Sequence, residues 1–244
     1  MLAGVCSGFV TALLQTRLGV DSLLSGIIVN TALYSINIAV MGGSSLLNMN
    51  KTDTVFTFLR DALKGTPLAG QSTLLAALIA VVCTVAFLVL FLNTRLGLSI
   101  RATGDNPEMV RASSINPMFT TTVGLCVANA FTGLSGCLLA QAQKQVDINL
   151  GQGMVTIALA SLLIGRAFLG KGSILTRAVG VVLGAFLFRL VYAIALRFDM
   201  PAFLLKLVSS VIVIFAIAGP YLKSRWPEVR RRIMHRFAAR KGGT

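Results

Sequence analysis

The stretch Ser72–Leu92 contains no charged side chain at all. A bilayer crossing needs ~20 predominantly apolar residues, and this stretch meets that length. A helix that is apolar all round must be covered by lipid or by other protein. The whole chain follows the same pattern. Of its 244 residues 55% are hydrophobic and only 12% are charged, and the mean hydropathy is +0.82. That apolar surface is too large for one soluble core of this length, so the sequence predicts an all-α, polytopic transmembrane helix bundle.

Further apolar runs are Val20–Met41, Met118–Ala140, Ile174–Leu196 and Ala202–Pro220, and Met1–Thr16 reads as a span whose start lies upstream. Gly153–Gly165 is apolar but only about 13 residues long, which predicts a partial or re-entrant helix. The count is six or seven membrane segments. Residues 1–220 form one transmembrane domain with a loop at 93–116, followed by a basic tail, 221–244.

The net charge is +14. No basic groove with interleaved aromatics accompanies it, so nucleic acid is not the partner. The cations sit at span ends instead, as the positive-inside rule expects. If 93–116 is cytoplasmic, Arg17, Arg95, Arg101, Arg111, Arg166, Lys171, Arg177 and the eight cations of the tail lie inside. Lys51, Arg60, Lys64, Lys144 and Arg197 lie outside, and Arg189 and Lys206 fall within spans. The C-terminus is then cytoplasmic and its Arg-rich tail rests on anionic lipid. The N-terminus falls on the outer face, and the reading expects further helices upstream of it.

The four cysteines lie in apolar runs without a CxxC pair, and the single histidine, His235, stands alone in the tail. No metal site, bound cofactor or catalytic set follows from these residues. Gly165–Lys171 fits the first seven places of a phosphate-binding loop, but Gly172 stands where Ser or Thr would hold magnesium.

The loop carries the most local information. In Arg101-Ala-Thr-Gly104-Asp105-Asn106-Pro107-Glu108-Met-Val-Arg111-Ala-Ser-Ser114-Ile-Asn116-Pro117, Asn106 suits an N-cap, Pro107 the first helical position and Glu108 the positive end of the dipole. Asn116-Pro117 disfavours continuation. The result is one helix of about nine residues, too short to stand alone in water. It is either a capped connector or a docking helix, with Met109, Val110, Ala112 and Ile115 supplying apolar contacts.

This string resembles the loop of inner-membrane permeases of binding-protein-dependent ATP-binding-cassette (ABC) importers, in the branch of branched-chain amino acid and ribose permeases. The segments ALYSINIAVMGG (Ala32–Gly43) and GQGMVTIALASLLIG (Gly151–Gly165), with Phe188-Arg189…Pro201…Leu205-Lys206-Leu207, are similar to bacterial permeases for tryptophan or tyrosine uptake. The resemblance implies a subunit of the bacterial inner membrane that pairs with a second permease subunit, two cytoplasmic ATPases that bind ATP and magnesium, and an extracytoplasmic solute-binding protein. It implies that Arg101–Asn116 couples ATPase closure to alternating access, and that amino acids are the solute. The family usually has Gly where Ser114 stands. The rival is an ion-coupled secondary transporter, which would want an acid in mid-span, and none is present.

Polar residues within spans are candidates for the translocation pathway or for interhelical hydrogen bonds. Asn30, Tyr34 and Asn37 share a helix face, and Asn129 shares one with Thr132. Arg189 and Lys206 lie roughly 8–10 Å below the outer boundary, where a solute carboxylate could meet them, or from which they could snorkel to the headgroups. The GxxxG pairs Gly4/Gly8 and Gly180/Gly184 predict close helix contacts, within the chain or between subunits. Leu14–Gly19 and Leu92–Gly97 echo one another, each read as a helix end capped by Gly.

Overall fold

The computed structural model describes residues 1–50, 52–62, 71–151, 154–169 and 172–197, together with residues 207, 210, 211 and 214. The chain divides into two compact units, Met1–Leu150 and Gly151–Thr244.

The first unit opens with α1 (Leu2–Thr16) and α2 (Ser22–Val40). Asp21 caps α2 by accepting the Leu23 amide at 2.9 Å, and α2 ends where Gly42 and Gly43 take φ of +70° and +83°, values that side chains disfavour. A short strand β1 (Leu46–Asn48) and a helix α3 (Val55–Ala62) lead to α4 (Ser72–Leu92). The loop forms α5 (Arg95–Asp105) and α6 (Pro107–Ala112), and α7 (Pro117–Gln143) follows. The strand β2 (Gln145–Asp147) then pairs antiparallel with β1, Leu46 opposite Asp147. The second unit is built on α8 (Met154–Leu169) and α9 (Ile174–Arg197).

Four of these helices, α2, α4, α7 and α9 over Ile174–Ile194, are long and apolar enough to cross a membrane, and α1 and α8 add shorter apolar stretches. At 1.5 Å per residue the 21 residues of α4 span about 31 Å, close to the hydrocarbon thickness. Its side chains are left uncovered: Leu78, Val82 and Leu90 are 55%, 58% and 71% exposed. A water-soluble fold does not leave such a face open; lipid or another subunit is its solvent. The expected polytopic bundle stands, with the three-residue β1–β2 ribbon as an addition that the sequence did not announce. The span expected at Ala202–Pro220 and the tail from Tyr221 lie outside the described residues, the four single positions apart.

Both GxxxG pairs are used within the chain. Gly4 lies against the backbone of Asn129 and Ala130, and Gly8 against Leu125 and Cys126, so α1 runs antiparallel along α7 with no side chain between the backbones. Ala12, the next residue on that stripe, is fully buried. In the second unit Gly180 meets Gly165, and Gly184 meets Ser161, closing α8 on α9 in the same way. Phe188 continues the stripe, 1% exposed. Small residues let dispersion act between backbones where lipid offers no hydrophobic drive.

The sequence echo does not become a structural repeat. In the first copy Thr16 bonds back to Ala12 and Gly19 takes φ +67° beyond the helix end. In the second, Thr94 starts a new helix by accepting the Gly97 amide at 3.2 Å. Gly97 therefore caps nothing: it sits in the first turn of α5, pressed on the backbone of Phe91 and Leu92 at the α4–α5 corner.

Candidate functional site

The segment Arg101–Asn116 is two helices, not one. Asn106, at φ −157° and ψ 99°, ends α5 and begins α6. Arg101, Gly104 and Asp105 therefore belong to the last turns of α5. The Asn106 side chain accepts the amides of Glu108 and Met109, both at 3.1 Å, and Pro107 fills the first helical position where no amide is needed.

The far end of α6 closes as a Schellman motif. The Ser114 amide donates to Arg111 O at 3.1 Å and the Ile115 amide to Val110 O at 3.2 Å, with Ser114 at φ +61°. This left-handed turn is why α6 stops at six residues rather than the expected nine. Asn116 then caps α7 through the Met118 amide at 3.0 Å. Asn106, Pro107, Ser114 and Asn116 are thus the joints of the segment. Its charges point out: Glu108 and Arg111 approach to 3.8 Å with side chains 80% and 63% exposed, a weak pair in water.

The apolar residues of α6 part company. Val110, expected to face a partner, is 1% exposed and anchors α6 to its own unit. Met109 and Ile115 remain outward, joined by Met118 and Phe119 at the start of α7. Sequence reasoning missed the residues that hold the segment down. Thr103 Oγ1 and Thr120 Oγ1 lie 2.7 Å apart, Thr120 is 1% exposed, and the Ile100 side chain packs over Gly124. Thr120 and Gly124, two small residues one turn apart on α7, were the available signal.

The other predicted residues fall elsewhere. Asn30, Tyr34 and Asn37 share an exposed face of α2, and among the described residues neither amide has a side-chain hydrogen bond. Asn129 sits on the α1–α7 seam, its amide turned back to Leu125 O at 3.0 Å. Arg189 is exposed on α9 beside buried Phe188. Lys206 lies outside the described residues. Gly165–Leu169, the start of the phosphate-loop look-alike, is α-helix with Gly165 in the α8–α9 contact, which leaves no backbone nest for a phosphate. Among the described residues no cluster of His, Cys, Asp and Glu could hold a metal.

At the other end of α7, Gln141 Oε1 accepts the Val55 amide at 3.0 Å and ties α3 down. The β1–β2 ribbon adjoins this end, with Met49 N–H donating to Lys144 O at 2.9 Å.

Comparison with known proteins fits this layout. A family model described as branched-chain amino acid transport system, permease component, matches residues 1–217. A tyrosine transport system permease protein of Clostridioides difficile (strain R20291) is 29% identical over 241 residues, covering 99% of this chain and 78% of that one. The nucleoside ABC transporter permease protein NupB of Lactococcus lactis subsp. cremoris (strain MG1363) is 25% identical over 226 residues, 88% of this chain and 60% of its own length. No solved structure gives a significant match.

Proposed function

The chain belongs to the family of permease components of branched-chain amino acid transport systems, and from that premise we propose that it is the membrane subunit of an ABC importer carrying a small solute into a bacterial cell. The observation that carries this reading is the segment Arg101–Asn116. It is capped at both ends, pinned through Val110, and presents Met109, Ile115, Glu108 and Arg111 outward. A six-residue helix so braced is suited to be pushed by a partner rather than to reorganise.

In this reading the segment faces the cytoplasm and seats in a separate ATPase subunit, which binds ATP and magnesium. A second permease subunit, identical or related, completes the path, and a solute-binding protein delivers from outside. The C-terminus is cytoplasmic. The uncovered face of α4 favours lipid or a second subunit against it. The Asn30–Tyr34–Asn37 face of α2 lines the path, because amides without partners in hydrocarbon are costly and water or solute relieves them. Asn129 and Arg189 are further path positions, and Lys206 would pair with Arg189 toward a solute carboxylate.

For the solute, amino acids come first and aromatic ones before others. The support is the tyrosine permease among the relatives, while the nucleoside permeases keep planar ring compounds in general in play.

The test is copurification with an ATPase encoded beside this chain, repeated after residues 106–112 are replaced by a Gly/Ser segment. Loss of the ATPase with retention of the folded permease supports the reading. Uptake driven by an ion gradient, with no ATPase bound, sinks it in favour of a secondary transporter. Ligand binding by the cognate solute-binding protein, with tyrosine and tryptophan as probes, decides the solute class.

A further inference from the structure

We propose that Thr103 and Thr120 are positioning residues that fasten the coupling segment to α7, so that a push at α6 is delivered to α7 and through it to α1. This rests on the coupling reading above and adds the route. The two hydroxyls lie 2.7 Å apart. A threonine hydroxyl has one proton to give. Thr103 Oγ1 lies 2.8 Å from Ser99 O and Thr120 Oγ1 3.0 Å from Pro117 O. Whichever hydroxyl donates across the gap, the other donates to its own helix, and no proton is stranded. The bond is sheltered at its α7 end, with Thr120 at 1% exposure, while Thr103 is half-buried, and a hydrogen bond with less water around it is the stronger.

Packing on both sides reinforces the joint. Val110 is buried on the α6 side, and one turn further along α7 the Ile100 methyl stands 3.3 Å from where a Cβ on Gly124 would be. Beyond it, at Leu125, Cys126 and Asn129, α7 meets the glycines of α1 backbone to backbone. The segment, α7 and α1 are thus linked by contacts with little give. The contact of α4 with α7 is of another kind, an edge-to-face meeting of Phe87 and Phe131 with centroids 5.8 Å apart, whose rings can slide.

The test uses the full chain in complex with its copurifying ATPase, in lipid nanodiscs. First, Thr103→Cys/Thr120→Cys is oxidised, with the unmodified chain under the same oxidant as control. The joint is expected to form a disulfide and to leave ATP hydrolysis within about twofold of the reduced complex, since coupling effects worth the name begin at about fivefold. No disulfide, or hydrolysis lost by more than about tenfold and restored by reductant, overturns the proposal: the helices then do not meet, or must part to work.

Second, with the other exposed cysteines, Cys6 and Cys83, replaced by Ala, Cys137, exposed on α7 far from the joint, reports movement by its maleimide labelling with and without ATP and vanadate. Thr120→Val is expected to keep the ATPase bound but to cut the nucleotide-dependent change in labelling at least about fivefold, and Thr120→Ser to retain it. A Thr120→Val complex that matches the unmodified one, or an unmodified complex with no change at Cys137, overturns the route. Failure of the coupling reading looks different: no ATPase copurifies, or hydrolysis ignores replacement of 106–112.

Discussion

The α1–α7 seam gives a prediction whose sign can be worked out atom by atom. A Cβ added at Gly8 would stand 2.6 Å from Leu125 O, 2.9 Å from Cys126 Cα and 3.0 Å from Leu125 C. All three are backbone atoms that cannot swing away. An ordinary carbon–oxygen contact of this kind is about 3.3–3.6 Å, so the helices must part at that level. A gap of about 0.5–1 Å forfeits a quarter to a half of the dispersion energy along it, and overpacking of this sort costs about 1–3 kcal/mol. Alanine returns up to about 1 kcal/mol through its better helix propensity. The net expectation for Gly8→Ala, with the propensity gain taken in full, is a loss of up to about 2 kcal/mol. Gly26→Ala in α2 is the matched control, because nothing lies within 4 Å of its Cβ, and it should gain about 0.5–1 kcal/mol. The assay is equilibrium unfolding in mixed micelles of rising SDS content, followed by far-ultraviolet circular dichroism. Opposite shifts of the two midpoints are expected. If Gly8→Ala stabilises the protein as Gly26→Ala does, the two helices do not meet as described.

Ser114→Gly should stabilise the α6 end by about 0.5–1 kcal/mol, since the left-handed cost of about 1–2 kcal/mol for a side chain outweighs the added chain entropy of glycine; slower amide exchange over 107–115 would show it, and faster exchange would contradict the Schellman turn. Asn106→Ala should cost about 1 kcal/mol and speed exchange at Glu108 and Met109, while an unchanged rate there would mean that the cap is idle. Glu108→Gln removes an exposed pair worth no more than a few tenths of a kcal/mol, so folding should not change; a large drop in ATPase copurification would then place Glu108 in the partner contact. Gln141→Ala should free α3 and quicken proteolysis at 55–62, and equal cleavage would show that other contacts hold that helix.

What could be read from the sequence was local. Asn106-Pro107 and Asn116-Pro117 carry their conformation in two residues each: Asn106 became the cap it suggested, and Asn116-Pro117, read as a stop, also begins α7 with Asn116 as its cap. The uncharged run at Ser72–Leu92 became α4 with the same bounds. What could not be read depended on a distant partner. GxxxG names a close approach but not its other side: Asn129 supplies it for Gly4 from a remote part of the chain, and Ser161 for Gly184 from the preceding helix. Val110 looked like any other apolar residue of α6, and only the placement of α5 and α7 around it decides that it turns inward. The strands β1 and β2 are three residues each, too short for alternation to show, and their pairing bridges about a hundred residues of chain. The echo at Leu14 and Leu92 failed for a related reason: after the first copy the chain turns through Gly19, and after the second it coils straight into α5.

The two glycine seams also say where this permease does not bend. Where backbones touch, a relative shift of either helix meets hard contacts on every side, because packed surfaces have discrete rather than graded arrangements. α1 with α7, and α8 with α9, are therefore single struts within their own units. Among the described residues the side-chain hydrogen bonds between α2 and α1 lie near one end, where Gln15 Nε2 donates to buried Ser25 Oγ at 2.9 Å, and beyond Val29 α2 exposes Asn30, Tyr34 and Asn37. Alternating access needs some helices held fast and others free to change neighbours. On the function proposed above, the polar face belongs to a helix of the second kind and would line the solute path. Cross-linking α2 to α1 beyond Asn30 should therefore stop transport, whereas a cross-link within the α1–α7 seam should spare it; transport that survives the first and not the second would reverse the assignment of strut and gate.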